Sequence, residues 1–192
     1  MSWVDAQLVQ RGIDDERVLE AMRRVPREAF VPDASLAYTD AALRIGHGQT
    51  ISQPYVVAVI CSALALRGGE RVLDVGTGSG YQAAVLAELA GRVVSIERIP
   101  ELAGLARANL ESAGYLDRVE LHVGNGWDGL PQRAPFDAIA VAAAAPEPPP
   151  KLLSQLADHG RLVLPVGGDD DQELALFTKT QLAPVRFVPL VD

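Results

Sequence analysis

Only one cysteine, Cys61, occurs in 192 residues. That excludes an intramolecular disulfide and fits a reducing compartment. Set in an apolar stretch of helical character, Cys61 reads as a buried small hydrophobe and not as a nucleophile. Histidine is scarce as well: His47, His122 and His159 lie far apart and lack paired ligand spacing, so no metal is expected. Lys and Arg number 17 against 25 Asp and Glu, giving a net charge of −8, and no basic cluster is long enough to track a phosphate backbone. Nucleic acid is therefore not an expected partner. The longest apolar run, Val56 to Leu66, falls short of the ~20 residues that cross a bilayer. The opening MSWVDAQLVQRGIDDERV has no basic segment followed by an apolar core. The expectation is a cytoplasmic, monomeric protein with no membrane partner, of a size that suits one compact unit.

What the chain does hold is alternation. After Gly69 come RVLDV, a helix over 81–90, RVVSIE, a helix over 100–113, VELHVG, FDAIAVA, a helix around 149–157, then RLVLPV. This pattern predicts an α/β fold, a doubly wound and mostly parallel sheet whose ligands lie beyond the carboxyl ends of the strands. The tail adds two further strands, QELALFTKT and APVRFVPL, with GGDDD as the turn before them.

Between the first strand and its helix, Asp74, Gly76, Gly78 and Gly80 stand at alternate positions. Glycine lets the main chain take positive φ and removes the Cβ that would hold a ligand away, while the next helix presents free N–H groups. The dinucleotide pattern G-x-G-x-x-G would need glycine at position 81, where Tyr81 stands, so a nicotinamide cofactor is disfavoured. Glu97 ends the next apolar run, where a carboxylate can accept hydrogen bonds from both ribose hydroxyls.

Upstream, Asp14 to Arg24 reads as an amphipathic helix ended by Val25 and Pro26. The following PREAFVPDASLAYTDAALRIGHGQT has few regular periods and suggests a long functional loop over the sheet. Residues 1–69 are expected as a helical and loop cap, and residues 70–192 as the core. Within the cap, GHGQTISQP is distinctive: Gly46 and Gly48 bracket His47, and Ser52 is placed as N-cap of a helix beginning near Pro54.

Together these segments resemble the protein-L-isoaspartate O-methyltransferases. That family has a Rossmann-like fold, uses S-adenosylmethionine, and methylates the abnormal carboxylate formed when asparagine deamidates or aspartate isomerises. The likeness runs almost end to end, through RVLEAMRRVPREAFVP, IGHGQTISQPYVVA, VLDVGTGSGYQAAVLAEL, IERIPELA, FDAIAVAAAAPEPP, GRLVLPVG and VRFVPLV. The glycine motif alone gives the cofactor class, and GHGQTISQP ahead of it narrows the resemblance to this family. It implies Ser52 as the active-site serine, with His47, Thr50, Ile51 and Gln53 around the donor methyl and the incoming carboxylate. It implies Asp74, Gly76, Thr77, Gly78, Ser79, Glu97, Asn125 and Gly126 as the S-adenosylmethionine site, and isoaspartyl-containing proteins and peptides as partners. One departure is Gly124-Asn125-Gly126, where the family usually has Gly-Asp-Gly and the aspartate accepts from the adenine amino group. The asparagine carbonyl can accept the same bond without charge, so weaker cofactor binding is expected.

Methyl transfer from a sulfonium to a carboxylate is an in-line displacement, and a carboxylate ionised at neutral pH needs no base. Alignment can supply roughly 7 to 11 kcal/mol at best, and desolvation frees the carboxylate from its hydration. On this view Ser52 donates a hydrogen bond that orients the carboxylate, and His47 positions rather than deprotonates. Two other readings stay open: a methyltransferase of the same fold acting on a small molecule, and a cofactor-binding homologue with little activity. Adenine amine methyltransferases carry Asn/Asp-Pro-Pro-aromatic after the fourth strand, where this chain has AAAAPE, which disfavours base methylation. The AAAAPEPPP run reads equally as a cover over the cofactor or as a proline-rich connector.

Overall fold

In the computed structural model, which describes residues 2–168 and 171–180, two short helices come first, α1 (Trp3–Gln7) and α2 (Glu16–Arg24). Asp15 starts α2 by accepting the Arg17 main-chain N–H at 3.0 Å, and Val25 with Pro26 ends it, close to the bounds read from the sequence.

The segment read as one long loop is instead built of two 3-10 turns, Arg27–Phe30 and Ala34–Leu36, and a hairpin of β1 (Leu43–Gly46) and β2 (Gln49–Ile51). Strands of four and three residues are too short for a period of two to show. Their turn runs through Gly46, His47 and Gly48 at φ 95°, 52° and 71°, left-handed backbone that the two glycines make inexpensive.

Next comes α3 (Pro54–Leu64), with Pro54 in its first turn and Cys61 buried within it. Its N-cap is Gln53 and no side chain caps it, so the expected cap role of Ser52 is overturned. The first-turn proline leaves one fewer N–H to satisfy, and Ser52 stands one residue too early.

From here strands and helices alternate: β3 (Arg71–Val75), α4 (Tyr81–Leu89), β4 (Arg92–Glu97), α5 (Pro100–Ser112), β5 (Val119–Val123), β6 (Phe136–Val141), α6 (Pro150–Ser154), β7 (Leu156–Gly167) and β8 (Gln172–Thr178). The sheet runs β5-β4-β3-β6-β7-β8, parallel throughout except for β8, which is antiparallel to β7. β7 begins at Leu156 and not at Arg161 because Leu156 pairs with Phe136, which also shortens α6. The expected strand APVRFVPL lies outside the described residues, as do Asp169 and Asp170 of the expected turn.

Helices cover both faces of the sheet, which is why its inner strands read as unbroken apolar runs. Val72, Val93, Ala138, Ala140 and Val163 join one cluster, together with Val4, Leu8 and Met22 from the amino-terminal helices. Their neighbours Leu73, Val94, Ile139 and Leu162 join the other, with Leu152 of α6. The chain moves outward from β3 in one direction and from β6 in the other, so a crevice opens where their carboxyl ends meet. No helix among the described residues is long and apolar enough to cross a membrane.

Candidate active site

Past Val75 the chain leaves the sheet through Gly76, Gly78 and Gly80 at φ 92°, 56° and 94°. A Cβ added at Gly76 would meet the Ala142 Cβ at 3.5 Å, so the loop lies directly against the end of β6. The Gly78 N–H donates to a Glu97 carboxylate oxygen at 2.9 Å, tying the loop to the end of β4.

Behind the loop lies a buried polar network. Asp74 accepts from the Gln82 amide at 2.8 Å and the Ser95 hydroxyl at 2.7 Å, and Ser95 shares a 2.6 Å hydrogen bond with Thr77. Burial pushes the Asp74 carboxyl up, while the hydrogen bonds from Gln82 and Ser95 pull the other way.

At the crevice is a cavity of about 390 Å³. It brings Thr50, Ile51 and Ser52 together with Gly76, Thr77, Gly78 and Ser79, and with Glu97, Asn125 and Gly126. Three residues read from the sequence stand outside its lining. Asp74 faces the interior beneath α4, where it holds Thr77 through Ser95 and so positions the loop from behind. His47 occupies the exposed turn of the hairpin, and Gln53 turns toward Asp40, donating to its carboxylate at 2.7 Å. A shared motif places a segment at a site without fixing which way each side chain points.

The run AAAAPEPPP, read equally as a cover or a connector, reaches the cavity. Ala142 to Ala145 line the cavity, so the alanine-proline run serves as wall and not only as connector. Trp127 stands at the rim, 46% exposed, and an aromatic just past a strand end was the available signal. Gln82 gave no such signal from within a helix. Arg27 is the most unexpected: wholly buried, it donates to the Ser52 carbonyl at 2.9 Å.

The polar groups fit a nucleoside-bearing ligand. The Ser79 hydroxyl and the Gln82 side-chain carbonyl are buried without partners, and both belong to lining residues. Glu97 accepts from Gly78 and Ile99 main-chain N–H groups at 2.9 and 3.0 Å, and a carboxylate's remaining lone pairs suffice for two ribose hydroxyls. Asn125 spends one carbonyl lone pair on the Trp127 N–H at 3.1 Å and keeps the other. A Cβ at Gly126 would lie 2.5 Å from Val75 Cγ1, so no side chain can stand there without displacement. Among the described residues no group of His, Cys, Asp and Glu is placed to hold a metal ion.

The strand order, the glycine loop and the cavity at the switch point define a Rossmann-like methyltransferase. The family described as protein-L-isoaspartate(D-aspartate) O-methyltransferase matches residues 3–192, and the chain belongs to it. Relatives named protein-L-isoaspartate O-methyltransferase include one from Methanoculleus marisnigri, 52% identical over 98% of this chain and 89% of its own. One from Aeropyrum pernix is 54% identical over 96% of this chain and 76% of its own. A solved structure of the same name superposes with TM-score 0.82 at 30% identity, covering 92% of this chain and 59% of that longer one. Another, a Plasmodium falciparum protein described as a putative member in complex with S-adenosyl-L-homocysteine, gives TM-score 0.81 at 29% identity over 93% and 89%.

Proposed function

We propose that this protein transfers the methyl group of S-adenosylmethionine to the free carboxylate of L-isoaspartyl residues in damaged proteins and peptides, a repair reaction. The observation that carries it is a single cavity walled on one side by the glycine loop and on the other by Thr50 to Ser52. The relatives' shared name supports the acceptor, and the S-adenosyl-L-homocysteine complex of a related structure supports the donor. When bound, S-adenosylmethionine supplies an electrophilic methyl group on a sulfonium. Gly76, Gly78 and Ser79 hold it through main chain and hydroxyl, Glu97 through the ribose, and Asn125 with Gly126 at the base. Ser52 donates a hydrogen bond to the acceptor carboxylate and orients it, while Ile51 and Val57 exclude water. No base is required, since the acceptor is ionised at neutral pH. Residues 1–69 act as the cap over the core of 70–192, and the protein works as a cytoplasmic monomer without nucleic acid, in keeping with its net charge of −8.

The test is labelling from tritiated S-adenosylmethionine with paired peptides that differ only in carrying Asp or isoaspartate. Label is expected in the isoaspartyl peptide alone. Equal labelling of both, or of neither, overturns the assignment.

A further inference from the structure

Arg27 is the largest side chain buried completely among the described residues. Its Nε donates to the Ala37 carbonyl at 2.8 Å and its Nη2 to the Ser52 carbonyl at 2.9 Å. Its Cζ stands 4.6 Å from the centre of the Tyr81 ring. Its Nη1 has no partner, and no carboxylate among the described residues is paired with it. Two carbonyl dipoles and a ring face soften the charge without cancelling it. A guanidinium stays protonated in a protein, and an ion without a counter-ion is costly to bury.

Two of the groups it touches place that charge next to the cavity. Ser52 and Tyr81 both line the cavity, while Arg27 itself stands just behind them. The one cation on the lining among the described residues is Arg98, which is exposed and follows Glu97, so solvent screens it. Arg27 is unscreened and lies against the wall that carries Ser52.

We propose that the missing counter-ion of Arg27 is the substrate's own carboxylate, making Arg27 a positioning residue whose buried charge selects an anionic acceptor and disfavours the uncharged product. This rests on the carboxylate methylation proposed above. In that reaction a carboxylate oxygen forms a bond to the methyl carbon, the carbon–sulfur bond breaks, and its electron pair returns to sulfur. The anion becomes a neutral ester and the sulfonium a neutral thioether. A fixed cation behind Ser52 therefore attracts the acceptor before transfer and loses its hold afterwards. Across a partly dehydrated wall, one such charge separates acid from ester by roughly tenfold or more in affinity.

The test is calorimetric binding of an isoaspartyl peptide and of its methyl ester to protein saturated with S-adenosylhomocysteine. The native protein is expected to bind the acid about tenfold tighter than the ester or better. Arg27→Gln should bring the two together while leaving S-adenosylhomocysteine affinity within about threefold. A purely structural role would weaken acid and ester alike and leave their ratio intact, which overturns the proposal. Equal binding of acid and ester by the native protein also overturns it, whether or not Arg27→Gln folds. Binding of neither peptide, with no label transferred, defeats the methylation reading itself and this inference with it.

Discussion

The two walls of the cavity are secured by different means. The glycine loop is backed by side chains from the core of the sheet: Asp74 holds Gln82 and Ser95, and Ser95 holds Thr77. The serine segment opposite is held through main chain, by Arg27 Nη2 donating to the Ser52 carbonyl and by the pairing of Ile51 with Leu43 in a small hairpin. The proposed donor seat is thus part of the sheet's own interior, whereas the proposed acceptor seat hangs from the segment that precedes it. Damage to the first wall should reach overall stability, and loss of the Ser52 hydroxyl from the second should fall on transfer.

Asp74→Ala breaks the first wall most severely. It leaves buried donors on Gln82 and Ser95 without their acceptor, and a loss of roughly 1–3 kcal/mol is expected in denaturant unfolding. S-adenosylhomocysteine affinity should fall too, although Asp74 does not line the cavity, and Asp74→Asn should recover part of both. A variant as stable as the parent would show that the network does not hold the loop.

Ser52→Ala probes the second wall. Removing a hydrogen bond to a charged acceptor should slow transfer by roughly tenfold, with the melting temperature and S-adenosylhomocysteine affinity nearly unchanged. Collapse of cofactor affinity in calorimetry would move Ser52 to the donor side and erase the contrast between the walls.

The smallest effect belongs to the far end of the sheet. Glu120 accepts from Arg92 at 2.7 Å, Arg133 at 2.6 Å and His122 at 2.7 Å. Partial burial pushes its carboxyl up, but the hydrogen bonds from His122, Arg92 and Arg133 outweigh this and bring it down to about 2. A depressed folded-state pKa gives stability that is present above the ordinary value of 4.5 and is lost as pH falls toward about 2. Glu120→Gln should therefore flatten the acid limb of the melting profile in that window. At neutral pH it should cost under about 1 kcal/mol, because solvent screens exposed pairs, and leave transfer untouched. An unchanged acid limb would place the acid sensitivity elsewhere.

How far the molecule could be read from its residues depended on the range of the forces involved. β3, β4 and β6 were legible because both of their faces are covered and their apolar runs are continuous. The glycine loop was legible because its backbone conformation constrains residue type directly. The start of β7 was not, since it is fixed by pairing with Phe136 across the sheet and not by the residues of ADHG. The hairpin was hidden by its brevity. His47 and Gln53 were assigned by a shared motif, but the left-handed turn turns the first outward and Asp40 draws the second aside. Arg27 had no local signal at all, because an arginine in a short turn ordinarily belongs to the surface.

The placement of sulfur in this fold has a consequence for durability. Cys61 is 1% exposed inside α3, burial pushes its thiol up, and Met22 is wholly enclosed beneath Tyr81. Peroxide oxidises solvent-reached thiolates and thioethers first, and both of these sulfurs are buried. A catalyst whose proposed clients are chains worn by age keeps these two atoms out of reach of the oxidants that accumulate alongside them.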